Sequence, residues 1–422
     1  MNFARKFKLI VQDKKLRNKI LFVLFALIIF RVFASIPIPG VDVARLNEFF
    51  SNNQFLGLLN MFSGGGLANL SIVMLGVSPY ITGSIIMQLL TMMIPKLKQM
   101  YHEEGEAGRK KFSQYSRLLT VPLAFVQGFG FLKLLQSQGV VNTLGGFELL
   151  TNIIVIVAGS ILLMWIGELI TEYGIGNGVS LLIFAGIVAG LPTAISQLYI
   201  AFEPSQIPMY VAFVGVAVAI IYAIVVVTEA ERPIPIHYAR QVRGSKVYGG
   251  VSTYLPLRVN QAGVIPIIFA MSILLFPQMI LNFLVNVDIN MIRTVSDFIL
   301  GILSNSWFYA VSYFILVFFF TYFYTAITFD PDSISTNLQK SGAFIPGVRP
   351  GKSTSEYLGK VLTRITLVGA TFLGVIAVLP LTMQAVTGVT ALAIGGTALL
   401  IVVSVVLDLV KKVDAQISMR EY

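Results

Sequence analysis

The chain has 422 residues, 56% hydrophobic and 12% charged. A soluble domain carries about 25% charged residues, so this composition excludes an ordinary globular protein and points to many membrane spans. No cysteine is present, which excludes disulfides and thiolate metal sites, and the net charge of +10 has to be read by its placement.

Asn2 to Lys19 form a basic amphipathic stretch suited to an anionic inner leaflet, with no small-residue cleavage site following it. Ten apolar windows then follow, near 20–38, 71–94, 116–137, 149–171, 179–200, 207–228, 262–285, 307–329, 358–380 and 387–410. Each is long enough to cross about 30 Å of hydrocarbon, which takes about 20 helical residues. The first ends at the rigid turn Ile36-Pro37-Ile38-Pro39-Gly40. Apolar residues resume at Phe55 but are broken by Ser63-Gly64-Gly65-Gly66, then by Asn69 and Ser71. The second window itself carries Gly76, Pro79, Gly83 and Gln88. Lipid cannot satisfy backbone groups that glycines leave loose, so irregular backbone at this depth is buried in protein or lines a watery cavity. The broken helix predicts a cavity with a movable segment inside it.

Later in the chain, Trp165 to Ser180 make a tight glycine-rich turn between the fourth and fifth windows, where Asn177 and Ser180 can cap the next helix. Residues 229–260 hold β-prone pieces at Ile234–Tyr238 and Val247–Tyr254. Residues 330–357 contain a turn-rich tip, Phe344-Ile345-Pro346-Gly347-Val348-Arg349-Pro350-Gly351.

Charge supplies the orientation. Of the 30 Lys and Arg residues, 26 fall in 1–19, 96–117, 232–258, 340–364 and 411–420. The positive-inside rule puts those segments and both termini on the cytoplasmic side, and ten spans fit that parity. Five spans on each side of the 203–207 loop suggest two inverted halves with a path between them. Arg31 is the deepest charge, read as snorkelling or packing against a partner helix. The acids Glu168, Glu172, Glu229 and Asp408 lie at predicted cytoplasmic ends, so no mid-membrane ion site is expected. No P-loop or metal-ligand cluster appears, and His102 and His237 offer no Ser-His pair, so neither an enzyme nor a cofactor is expected.

Leu75-Gly76-Val77-Ser78-Pro79-Tyr80-Ile81-Thr82, Gln88-Leu89-Leu90, the Trp165–Ser180 turn, Val259-Asn260-Gln261-Ala262-Gly263-Val264-Ile265-Pro266, Pro346-Gly347-Val348-Arg349-Pro350-Gly351 and Ile394-Gly395-Gly396-Thr397 occur in this order. Over nearly its whole length the chain resembles the SecY family, the central subunits of the protein-conducting translocon. The resemblance implies an all-α polytopic membrane protein, with ten transmembrane helices in two pseudo-symmetric inverted halves around a central hourglass pore. The corresponding boundaries are a cytoplasmic segment 1–19, an N-terminal half 20–200, a C-terminal half 201–410 and a cytoplasmic tail 411–422. Segments 202–208 and 286–306 do not match well enough to carry anything over. Gly83 stands where alanine or serine is usual, a change expected to loosen helix packing, and Ser245 stands where a basic residue is frequent.

The resemblance makes the broken helix a plug, Asn60 to Ser71, whose heart is Asn60, Met61, Phe62, Ser63, Gly64, Gly65, Gly66 and Leu67. It implies a pore ring of Val77, Ile81, Ile183, Ile268 and Ile401. Taken alone, these five would be ordinary packing residues. A ring of aliphatic side chains can dewet to stop ions and offers a passing polypeptide no charge to stick to. Thr82, Gln127 and Asn260 match polar positions of a lateral gate, the alternative for each being a bond to a carbonyl of its own helix. Arg240, Arg243, Lys246 and Arg349 match a docking face for the SecA ATPase and the ribosome, whose phosphates attract cations. Further implied partners are the SecE and SecG membrane subunits, signal peptides and nascent chains, and anionic lipids; the implied location is the bacterial cytoplasmic membrane. A small-solute secondary transporter is the rival reading, disfavoured by the missing ionisable site and the long basic loops. A purely structural scaffold would leave the broken helix unexplained.

Overall fold

The computed structural model describes residues 12–39, 65–67, 69–102, 104–137, 139–141, 145–200, 207–238, 241–243, 246–248, 252–284, 290–303, 305–387 and 390–421. Thirteen helices lie among them: α1 Lys14–Ala34, α2 Ser78–Met93, α3 Pro95–His102, α4 Gly105–Ser137, α5 Gly146–Tyr173, α6 Gly178–Ile200, α7 Ile207–Glu229, α8 Ile265–Leu284, α9 Asn290–Leu303, α10 Ser306–Thr328, α11 Pro331–Lys340, α12 Lys352–Thr387 and α13 Thr390–Glu421. Each of the ten apolar windows holds a helix. Among the described residues four stretches, 105–136, 146–173, 306–340 and 352–379, are individually long and apolar enough to cross a membrane.

Local chemistry sets several boundaries. Asp13 caps α1 by accepting the Lys15 N–H at 2.9 Å. Between α2 and α3 the chain bends by 114°. The cause is Pro95, which forces Ile94 into an extended conformation (φ −113°, ψ 107°) and so ends the helix. The second window expected a helix from residue 71, but α2 begins at Ser78 with Pro79 in its first turn. Helices α4 and α12 start before their apolar windows and α13 ends well past its own, because amphipathic flanks continue a helix without needing to cross lipid.

Two compact units emerge, one comprising 1–208, 272–305 and 388–422, the other 209–271 and 306–387. In the first unit α2 packs on α4, α4 on α5, α5 on α6, and α6 on α13. Leu16 at the start of α1, Ile175 in the α5–α6 turn and Ile417 near the end of α13 share one apolar cluster. The start of the first helix and the end of the last therefore meet at one end of that unit.

The second unit is built on α10 and α12, with the two long loops folded beside them. Strand β1 (Glu231–Tyr238) pairs antiparallel with β4 (Ser252–Arg258), from Glu231 opposite Arg258 to His237 opposite Ser252. The short strand β5 (Ala343–Phe344) joins the other edge of β1, so the order is β4-β1-β5. Strands β2 (Gln241–Arg243) and β3 (Lys246–Tyr248) form a separate hairpin ladder. Buried Ile234, Leu257, Ile345 and Leu358 pin the sheet to the start of α12.

Candidate functional site

The chain after the glycine break is stitched back onto the end of α1. Pro37 and Ser71 form an isolated antiparallel bridge; Ile38 N–H donates to Leu70 O at 2.8 Å and Ile72 N–H to Ile36 O at 3.0 Å. Asn69 adds its Nδ2 to the Ala34 carbonyl at 3.3 Å. The described residues between Gly65 and Val77 make successive turns rather than a helix, with Leu70, Met74 and Gly76 each donating three residues back. Gly65, Leu70 and Gly76 all have positive φ. That is routine for glycine and uncommon for leucine, and it explains why the helix cannot start earlier.

These turns bury Leu67, Leu70, Met74 and Leu75 against Phe131, Leu132 and Leu135 of α4 and Ile153 and Ile156 of α5. The approach is closest at Gly159 of α5, where an added Cβ would lie 2.1 Å from the Ile72 carbonyl oxygen. Arg31 Nη1 lies 3.4 Å from where a Gly65 Cβ would stand, so the deepest charge of the first span sits beside the glycine turn. Of the eight residues read from sequence as the heart of the plug, Gly65, Gly66 and Leu67 are described and the last two are buried. Asn60, Met61, Phe62, Ser63 and Gly64 lie outside the described residues.

All five ring residues are buried within the chain. Val77 and Ile81 share one turn, Ile81 N–H donating to Val77 O at 3.0 Å. Ile183 and Ile401 lie on α6 and α13, which pack on each other within the same unit. Ile268 lies on α8 in the other unit. Leu182 and Ile85 are equally buried, so burial alone does not single out the ring.

The polar residues divide. Thr82 Oγ1 donates to the Ser78 carbonyl of its own helix at 3.0 Å, the local alternative. Gln127 is buried on α4. Asn260, also buried, has an Oδ1 with no hydrogen-bond partner among the described residues, a cost that a partner group would remove. Gly83 does not loosen its surroundings. A Cβ there would sit 3.2 Å from the Ser116 carbonyl oxygen, so glycine lets α2 and α4 approach closely.

Arg349 is exposed at a tip whose backbone is fixed from several sides. Thr354 Oγ1 donates to Arg349 O at 2.9 Å, Ser335 Oγ to Gly351 O at 2.6 Å, and Val348 N–H to Ile345 O at 3.1 Å. Arg243 and Lys246 face each other across the end of the β2–β3 ladder, while Arg240 lies outside the described residues. Two interactions were not foreseeable from sequence spacing: the Arg31–Gly65 approach and an ion pair between Arg117 on α4 and Glu168 on α5, 51 residues apart.

The pattern that defines the SecY family matches residues 71–410. The protein translocase subunit SecY of Mycobacterium bovis is 42% identical over 439 residues, covering 96% of each chain. That of Thermotoga maritima is 42% identical over 427 residues, covering 99% of this chain and 96% of its own. Among solved structures, one described as a protein-conducting channel has a TM-score of 0.65 at 19% identity, covering 96% of this chain and 93% of its own. Sec61 in the canine ribosome-channel complex from the endoplasmic reticulum has a TM-score of 0.62 at 18% identity, with the same coverage. Ordered motifs, fold and full-length identity agree: the chain belongs to the SecY family.

Proposed function

We propose that this chain is the pore-forming subunit of a protein translocase in a bacterial cytoplasmic membrane, with both termini cytoplasmic. It passes unfolded secretory polypeptides outward and releases apolar segments sideways into lipid. The observation that carries this reading is the identity of 42% with translocase subunits over almost the whole length. Asn60–Ser71 acts as the displaceable plug, anchored at its C-terminal end by the bonds to Ile36–Ile38, just past the end of α1. Val77, Ile81, Ile183, Ile268 and Ile401 form the constriction it closes, and Thr82, Gln127 and Asn260 line the sideways exit. The chain itself supplies no energy: the SecA motor or the translating ribosome drives transport, docking on Arg240, Arg243, Lys246 and Arg349. SecE and SecG complete the membrane complex, and anionic lipids support the basic N-terminal segment.

The ring is tested by conductance. Replacing Ile81, Ile183 and Ile268 together with glycine should raise the resting ion conductance of the complex in planar bilayers about tenfold or more, because the dewetted aliphatic barrier is removed. Unchanged resting conductance would exclude these residues from the constriction.

A further inference from the structure

Helix α9, Asn290–Leu303, lies in the segment to which the family resemblance assigns nothing. Its faces are arranged unusually. At about 100° per residue, Met291, Val295, Phe298, Ile299 and Ile302 fall on one arc of about 100°. All five are exposed, Met291 at 78% and Phe298 at 70%. The opposite arc carries Arg293, Thr294 and Asp297, also exposed, with Arg293 and Asp297 paired at 4.0 Å. Among the described side chains of α9, only the flank between them turns to protein: Ser296 is 2% exposed, and Leu300 and Leu303 are half-buried.

An amphipathic helix on a soluble surface turns its apolar face to the core. Here that face is uncovered, the polar face is uncovered, and a third side meets protein. A helix lying on a bilayer beside a protein has these three environments: lipid below, water above, protein at its flank. Its place in the chain fits, since α9 is followed closely by α10, part of a stretch long and apolar enough to cross a membrane, and so cannot stray far from the bilayer. Trp307, one of two tryptophans, follows four residues after its end and is 69% exposed, as befits the interfacial aromatic belt. The pairing of Arg293 with Asp297 leaves the helix without net charge, so apolar burial rather than attraction to anionic lipid holds it.

We infer that α9 is an interfacial helix, lying flat in the headgroup layer with Met291, Val295, Phe298, Ile299 and Ile302 in contact with phospholipid. This rests on the reading of the chain as a membrane-embedded translocase subunit, with 286–306 joining two spans. The partner is a bilayer of any headgroup composition, not a specific lipid.

This chain has no native cysteine, which allows a direct test on the complete translocase complex in proteoliposomes, the complex without an added cysteine serving as the labelling control. Single cysteines at Val295, Phe298, Thr294 and Asp297 are labelled with an environment-sensitive fluorophore. At Val295 and Phe298 emission should shift to the blue and be quenched at least twofold by lipids bearing a nitroxide near the headgroup, with little effect of aqueous iodide. Thr294 and Asp297 should show the reverse. Equal iodide quenching at all four positions would place the apolar face in water and overturn the inference. Quenching of Phe298 by neither agent would also overturn it, showing that protein covers the face. Precursor export is measured in the same vesicles, so that a misplaced helix is told apart from a chain that does not translocate.

Discussion

Gly178 shows how a single side chain's absence sets geometry here. A Cβ at that position would lie 1.8 Å from the Gly167 carbonyl oxygen and 2.9 Å from Ile170 Cβ. The obstacle is mostly backbone, so α5 and α6 would have to separate, and the bond from Gly178 N–H to Thr171 Oγ1 (2.8 Å) would go with them. Gly178→Ala should destabilise the fold by about 1–3 kcal/mol or more, as overpacking does. Thermal unfolding of the purified complex measures this against Gly215→Ala, where the new methyl group meets nothing within 4 Å. Equal melting of the two variants would show that α5 and α6 do not approach as described. Leu70 is the complementary case, a buried leucine at φ 39°. Such backbone costs about 1–3 kcal/mol and persists only where surroundings over-determine it. The apolar cluster around Leu70 and its bond to Ile38 N–H provide that constraint directly after the glycine break.

At the scale of elements, the tip after β5 is built to hold one cation still. Buried Ile345 anchors it below, Thr354 and Ser335 fix its carbonyls, and Arg349 alone among its residues carries charge outward. A charged contact is worth about 1.5–3 kcal/mol, so reversing its sign should reduce motor-driven export by at least about tenfold. Arg349→Glu is expected to have that effect in reconstituted vesicles while the subunit still inserts and co-purifies with its membrane partners. Normal export by that variant would end the docking role of Arg349. Much at this scale was legible in sequence. The ten windows became helices because apolar length is a property of the chain itself. The β-prone pieces near Ile234 and Tyr254 became β1 and β4 for the same reason. Two things were not: Gly76 and Pro79 stand in the sequence, but that Ser71–Val77 turns instead of coiling depends on Ile36 and Ile38 supplying bonds from afar. Similarly, nothing in the residue type decides whether Thr82 bonds its own helix or a neighbour.

For the whole molecule, the placement of charge is decisive. A net charge of +10 on a chain with 12% charged residues would suggest nucleic acid if it were spread evenly. Instead 26 of 30 cations lie in five segments assigned to one side of the membrane, and two of those segments fold into the β-sheet module of the second unit. Retention by the positive-inside rule needs only the charges, not strands and buried residues beneath them. A folded basic surface is what docking to ribosomal RNA would use, and such docking releases counterions, so its affinity must fall with salt. Removing one cation that meets a phosphate should lower the slope of log affinity against log salt by about 0.7–0.9. Arg243 and Lys246 face each other at the end of one ladder, so replacing both with alanine should reduce the slope by about 1.4–1.8. Binding of empty ribosomes to vesicles holding the complex, measured from low to high salt, reads this directly. An unchanged slope together with unchanged affinity would mean that Arg243 and Lys246 meet no RNA phosphate, and would remove them from the proposed ribosome-docking face.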